Sequence, residues 1–162
     1  MATEHDYFGI VGDYWSEMIE YADQRVEVVL ETEDDEVPIP ALDSAAALVS
    51  ELELADDEVR NAFVSQLDSG SSPAVQFLNV LLDPESELAE EIEDAIGRDS
   101  GDRQIDALRS MTLVRVDLRP ELFGEGEAFA EFEYALAPDE TDERLIATID
   151  VGREVVDVRF EG

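Results

Sequence analysis

Apolar residues that recur with a period of two, in four segments near the C-terminus, constrain the fold of this chain more than any other feature. A period of two is typical of strands that bury one face. Because the connections between the segments are short, they predict an antiparallel meander of four strands. Their apolar members are Val114, Val116 and Leu118; Phe132, Tyr134 and Leu136; Leu145, Ala147, Ile149 and Val151; and Val156, Val158 and Phe160.

A hairpin is predicted near the N-terminus. Residues 15–21 and 25–31 are rich in β-branched and aromatic types, with a short polar connection between them. In the second segment Val26, Val28 and Leu30 fall on one face and charged residues fall on the other. This pattern is typical of a half-buried pair of strands.

Between the two groups of strands, the apolar residues recur with the period of a helix. The predicted helices are one whose apolar face carries Ala45, Leu48, Val49 and Leu52, one that begins at Asp56, an apolar one over 74–82, one that begins at Pro84, and a short one over 102–109. The order of elements predicts an α+β fold. We expect an antiparallel sheet, made of the N-terminal hairpin plus the C-terminal four-strand meander, with the central helical segment packed on one face. The length suits a single domain over residues 1–162.

The charge of the chain indicates the solvent it is built for. Asp and Glu number 43 against 10 Lys plus Arg, a net charge of −33, and every one of the basic residues is Arg. The resulting self-repulsion is large in dilute buffer, whereas at about 1 M salt the Debye length falls to roughly 3 Å and surface carboxylates become nearly independent. The composition resembles that of salt-in halophiles, especially haloarchaea. We therefore expect an archaeal-type, cytoplasmic protein adapted to molar salt.

Composition also excludes several classes of function. The chain has no basic segment with which to release counterions from phosphates, so nucleic acids and anionic membranes are not expected partners. It has no Cys, which excludes thiol catalysis. Its single His is His5, so a Ser-His-Asp triad is not expected, and an ordinary zinc site lacks the several His or Cys ligands it needs. The chain has neither a signal-peptide pattern nor a run of about 20 apolar residues. We assign no catalytic, cofactor-binding or metal-binding residue, and we expect no cofactor.

Chemistry based on carboxylates stays open as an alternative. Hard cations take oxygen ligands, and a pair of carboxylates is sufficient for some hydrolases. The acidic runs 31–36 and 139–143 lack the spacing of an EF-hand. With 43 carboxylates in the chain, chance pairs are inevitable and the sequence selects none of them.

Arginine is concentrated in the C-terminal third. If the first two strands of the meander pair, Arg115 and Arg119 lie across from Glu131 and Glu133 on the outward face. Likewise, Asp157 and Arg159 are expected to lie near Thr148 and Asp150. Opposite charges on neighbouring strands stabilise each other modestly. The pattern predicts either a solvated ladder of charges or an anion site lined by Arg.

Aromatic residues are concentrated at the other end of the chain. We predict that Tyr7, Tyr14, Trp15 and Tyr21 contribute to a protein-interaction surface, because Tyr and Trp are enriched at interface hot spots. The alternative is that these side chains pack over the hairpin and one end of the sheet. Both interpretations fit the sequence.

The C-terminal segments resemble a known family. The resemblance is carried by Glu133-Tyr134-Ala135-Leu136, residues 141–146 and 150–155, the closing Phe160-Glu161, and Tyr7-Phe8-Gly9 near the N-terminus. These motifs are similar to those of a small, largely bacterial family, domain of unknown function number two-thousand-and-four. The resemblance implies a hairpin after the aromatic-Phe-Gly motif, then helices, then a strand meander. Small acidic bacterial proteins of this kind are associated with immunity and adaptor roles, and the resemblance assigns no functional residue.

Three functions are compatible with these observations. The first is a non-enzymatic binding or adaptor domain, of the immunity-protein kind, with an unidentified protein partner. The second is a carboxylate-based hydrolase, with or without a divalent metal. The third is a structural subunit of a homo-oligomer, and the sequence leaves monomer and homodimer equally open.

Overall fold

The computed structural model describes residues 3–5, 9–11, 14–21, 24–31, 38–97, 102–120, 122, 124, 126–137 and 141–161. Its strands are β1 (Thr3–His5), β2 (Gly9–Val11), β3 (Tyr14–Tyr21), β4 (Gln24–Glu31), β5 (Thr112–Leu118), β6 (Ala130–Ala135), β7 (Arg144–Ile149) and β8 (Val155–Glu161). Its helices are α1 (Ile39–Ser50), α2 (Leu52–Ser65), α3 (Pro73–Leu81), α4 (Ala89–Ala95) and α5 (Arg103–Ser110), with a 3-10 turn at Gln66–Asp68.

The described strands form a six-strand sheet and a separate two-strand pair. The order in the large sheet is β3-β4-β5-β6-β7-β8, and β1 pairs with β2. The predicted α+β class is therefore confirmed, with a mostly antiparallel six-strand sheet and five helices. A wholly antiparallel sheet was wrong, because β4 and β5 run parallel. The helices lie between these two strands in the chain, and a connection of that length lets neighbouring strands run in the same direction.

Two helices begin at different residues from those predicted. Helix α2 begins at Leu52 rather than Asp56, because Leu52 and Ala55 are themselves buried in the core. Helix α4 begins at Ala89 rather than Pro84. The Asp83 carboxylate accepts the backbone N–H of Glu85 at 2.9 Å, and this local bond favours a turn at that point over a helix.

The core contains residues of both the sheet and the helices. Val28, Val116, Phe132, Ala147 and Val158 form a cross-strand row from β4 to β8, and they belong to one hydrophobic cluster with the helices. Helix α3 contacts β7 and β8. Burial of these side chains stabilises the fold, since each buried methylene contributes roughly 0.8 kcal/mol.

Aromatic contacts tie the helices to individual strands. The Phe77 ring of α3 meets the Phe160 ring of β8 edge-on, with centroids 6.0 Å apart. The Phe63 ring of α2 meets the Tyr134 ring of β6 in the same way at 5.2 Å. Helix α3 is less enclosed than its apolar sequence predicted, because Val80 is 45% exposed. Every helix in the described ranges is too short or too polar to cross a membrane.

Candidate functional site

The sheet carries a cluster of charged side chains on its outward positions. One cross-strand row runs from Glu27 through Arg115, Glu133 and Ile146 to Arg159. We define the charged face as Arg115, Asp117, Arg119, Glu131, Glu133, Arg159 and Glu161, which surround Ile146 in a shallow pocket of about 210 Å³. The alternation of the strands puts these residues opposite the core, because successive side chains point to opposite sides of a sheet.

Glu131 is the centre of the charged face. Its Oε1 lies 3.2 Å from Nη2 of Arg119, and its Oε2 contacts Nη1 of Arg159. Glu131 is only 8% exposed, and a buried carboxylate is stable when charged donors satisfy it. The hydrogen bond to Glu131 raises the pKa of Arg159 above its ordinary value, and burial opposes this. Two guanidiniums from different strands therefore share one carboxylate.

Arg115 occupies the other half of the charged face. Its Nε donates to Asp117 Oδ1 at 2.9 Å, and in the strand register it lies opposite Glu133. Burial raises the pKa of Glu133 above its ordinary value, and Arg144 and Arg115 only partly offset this. Arg115 and Arg119 thus do face Glu133 and Glu131 as predicted, and the three arginines of the charged face all contact carboxylates. This arrangement supports the charge ladder over the anion site.

On the next row Asp157 pairs with Thr148, as predicted. Arg159 pairs with Ile146 instead of lying beside Thr148 or Asp150. Its guanidinium crosses β7 to reach Glu131, since a long Arg side chain spans neighbouring strands.

A second polar cluster lines a cleft of about 730 Å³ between α2 and the end of α5. The Asp56 carboxylate accepts the Tyr134 hydroxyl at 2.5 Å and the Arg60 Nε–H at 2.9 Å. Arg60 also donates from Nη1 to the backbone carbonyl oxygens of Arg109, at 3.2 Å, and Met111, at 2.9 Å. The guanidinium carbon of Arg60 lies 5.1 Å from the centroid of the Tyr134 ring.

This Asp56 cluster joins three elements that are distant in sequence. Asp56 and Arg60 belong to α2, Tyr134 belongs to β6, and the two carbonyl groups belong to the last turn of α5 and to the residue just after it. Cations are favourable at the C-terminus of a helix, where carbonyl groups have no partner within the helix. Asp56 is 4% exposed and accepts hydrogen bonds from Arg60 and Tyr134. Its role is therefore structural, because it links helix α2 to strand β6.

A third carboxylate, Asp150, organises the turn after β7. Its side chain accepts the backbone N–H of Glu154 and of Gly126, each at 3.0 Å. Burial alone would raise the pKa of Asp150, but these bonds and one from Gly152 outweigh burial and lower it below its ordinary value. Arg153 in the same turn has a φ of 67°, and its Nη1 donates to Glu51 Oε2 at 2.6 Å. The turn is therefore held to the loop at Gly126 and to Glu51, the residue between α1 and α2.

The four aromatic residues predicted to form an interaction surface are described only in part. Tyr7 lies outside the described residues, and Tyr14 and Tyr21 are the first and last residues of β3, with side chains outside the described part. Trp15 is partly buried and packs against the hydrophobic core. The packing alternative therefore applies to Trp15, and the interaction surface stays a prediction.

Sequence reasoning missed the roles of Asp56, Tyr134 and Asp150. Asp56 was assigned to the start of a helix, although its spacing of four residues from Arg60 predicts an ion pair. Tyr134 alternates with Phe132 on the buried face, and an inward Tyr needs a hydrogen-bond partner. Within the described part of the chain, no group of three or more Asp, Glu or His side chains is placed to hold a metal ion.

Comparisons with known proteins identify no relative. No family model, no curated protein and no solved structure matches the chain. The resemblance to domain of unknown function number two-thousand-and-four therefore stays a prediction, and the function is inferred from the geometry alone.

Proposed function

We propose that this protein is a non-enzymatic protein-binding domain of a salt-rich cytoplasm, and that the charged face is its binding surface. One observation carries the proposal. The chain has a net charge of −33, but the charged face combines three arginines with four carboxylates. The net charge of that face is therefore only −1. It is a surface that another acidic protein can approach without strong repulsion.

The physics of concentrated salt supports the same surface. At about 1 M salt the Debye length is roughly 3 Å, so long-range steering is lost and only groups in contact attract each other. The charged face offers such groups in a pattern of alternating sign. A partner with the complementary pattern gains paired contacts, and a partner with a uniformly acidic surface does not.

The arrangement of the helices completes the proposal. The hairpin β3–β4 and the meander β5–β8 form one sheet, and we place helices α1–α5 together on its apolar side. The contacts of α2 with β8 and of α3 with β7 and β8 support this placement. The charged face is then the side of the sheet left for a partner. Membership of the resembled family would be consistent with such an adaptor role.

The hydrolase alternative has less support. In the 730 Å³ cleft the buried carboxylate, Asp56, already accepts hydrogen bonds from Tyr134 and Arg60. A general acid or base needs access to the group whose proton it transfers. The Asp56 cluster instead resembles a satisfied polar network in the core.

The experiment is affinity capture from native extract in molar KCl. The wild-type domain is compared with Arg115→Glu, on the charged face, and with Arg103→Glu, on α5. Each substitution changes the charge by the same amount, and each removes a contact with a carboxylate, Asp117 or Glu93. We expect the same partner to be retained by the wild type and by Arg103→Glu and lost with Arg115→Glu. Equal retention by both variants would exclude the charged face as the binding surface.

A further inference from the structure

The longest uncharged segment of this chain lies at one edge of the sheet. Residues 69–82 include no charged side chain, although 33% of the protein is charged. This segment contains α3, whose exposed residues Gln76, Asn79 and Val80 are all neutral. Helix α3 contacts β8 and β7, so its neutral surface adjoins the last strand of the sheet.

Strand β8 is the last strand of the six-strand sheet formed by the described residues. Among the described residues it pairs only with β7, and no other described residue bonds to its backbone. The register shifts between Thr148 and Ile149, so regular pairing runs from Asp157 to Glu161. Unpaired backbone groups along such an edge are a template for another strand.

The opposite edge of the sheet is protected by charge. Strand β3 carries Glu17 and Glu20 and no basic residue. If two copies of β3 paired, their carboxylates would lie close together and repel. Charged side chains on an edge strand are a known means of preventing such pairing. Strand β8 differs, because Asp157 and Arg159 have opposite signs on either side of Val158.

From these two features we infer that β8 pairs antiparallel with β8 of a second copy of this chain, centred on Val158. In that register Asp157 lies opposite the partner's Arg159, and Arg159 lies opposite the partner's Asp157. Phe160 then lies opposite the partner's Val156, and Val156 is 41% exposed in the single chain. The two-fold symmetry repeats each attractive pair, as in an isologous interface.

The proposed interface reduces the repulsion between two copies of this acidic chain. Two bodies of net charge −33 repel wherever acidic surfaces meet. The β8 edge brings together one opposite-charge pair twice and, beside it, the neutral surface of α3. Main-chain hydrogen bonds supply the remaining attraction, as they do when a strand is added to a sheet edge.

The first test measures mass by light scattering in molar KCl over a range of concentrations. We expect the wild type to reach the mass of two chains of 18.0 kDa each. Asp157→Arg places Arg against Arg at both pairs and should weaken association by roughly tenfold or more. The control, Asp57→Arg, makes the same charge change at an exposed residue of α2 and should leave association unchanged. A wild type that is monomeric throughout, or an Asp157→Arg variant as dimeric as the control, would overturn the inference.

The second test does not depend on charge. The chain contains no cysteine, so Val158→Cys introduces a single thiol at the proposed two-fold axis. Facing residues in antiparallel strands have Cα atoms about 4.5–5.5 Å apart, within the range that a disulfide spans. Mild oxidation in molar KCl should convert Val158→Cys to a covalent dimer and leave Glu17→Cys, on the β3 edge, monomeric. Equal cross-linking of the two variants would contradict pairing through β8. Neither test substitutes a residue of the charged face, so a failure of β8 pairing would leave the proposal for that face standing.

Discussion

Removing one hydroxyl group, by Tyr134→Phe, tests the importance of the Asp56 cluster. Phenylalanine keeps the ring, and with it the edge-on contact with Phe63 and the position beneath the Arg60 guanidinium. The substitution therefore removes the 2.5 Å hydrogen bond from the Tyr134 hydroxyl to Asp56 and keeps the ring. Because Tyr134 is fully buried and Asp56 is 4% exposed, water does not readily replace the lost donor.

The expected cost follows from the charge of the acceptor. A hydrogen bond to a charged group contributes roughly 1.5–3 kcal/mol to stability, so we expect the free energy of unfolding to fall by about 2 kcal/mol. For a domain of this size that corresponds to a decrease in Tm of about 4–8 °C. The loss is largely independent of salt concentration, because a buried pair is screened much less than exposed charges.

The measurement is urea denaturation followed by circular dichroism at constant molar KCl. Ser16→Ala removes an exposed hydroxyl from β3 and should change stability by less than about 0.5 kcal/mol. A double-mutant cycle with Asp56→Asn isolates the pair, and residues in contact give a coupling of roughly 0.5–3 kcal/mol. The structural role of Asp56 is refuted if Tyr134→Phe lowers the free energy of unfolding no more than Ser16→Ala does. It is also refuted if the effects of Tyr134→Phe and Asp56→Asn are additive.

Three further outcomes are expected from the electrostatics of the chain. Withdrawal of KCl should loosen or unfold the protein, because the net charge of −33 is then unscreened; a circular-dichroism melt unchanged between dilute buffer and molar KCl would argue against salt adaptation. The lowered pKa of Asp150 stabilises the fold above the ordinary value of 3.8, and this contribution is lost as pH falls through the folded value. Asp150→Asn should therefore have a lower free energy of unfolding than the wild type at neutral pH, and this difference should become smaller in acid. A difference that does not change with pH would contradict this. The raised pKa of Glu133 has the opposite effect on stability. Its stabilising contribution is present in acid and is lost as the pH rises through the pKa of the folded state. Glu133→Gln should gain stability relative to the wild type as the pH rises from about 4 to 7, and a relative loss over that range would show that Arg144 and Arg115 outweigh burial.

Local patterns predicted most of the elements but not all of their ends. The alternation around Phe132 and the helical spacing around Val59 depend on neighbours within one or two turns, so a window of the sequence contains the signal. The start of α2 at Leu52 depends instead on burial against the core. A helix was expected to begin at Pro84, whereas the bond between Asp83 and Glu85 forms a turn there. An Asp side chain favours a helix cap or a turn through equally local bonds, so the sequence does not choose between them.

The candidate site was predictable only where it repeats the strand period. Arg115 opposite Glu133 follows once β5 and β6 pair, because the register of a hairpin-like pair is limited by its connection. The bond between Tyr134 and Asp56 joins residues 78 positions apart. No periodicity of the sequence relates those positions, and the clamp of Arg119 and Arg159 on Glu131 likewise needs three strands in a particular order.

The amino-acid sequence by itself determined the class of the fold, the net charge of −33, and the absence of Cys and Lys. These are properties of composition and of short-range periodicity, which need no knowledge of what lies across the molecule. Only the tertiary structure decided that β4 and β5 run parallel, that Asp56 is buried, and that β8 pairs only with β7 among the described residues. Each of these depends on which distant segments meet, and that is set by the packing of the whole core.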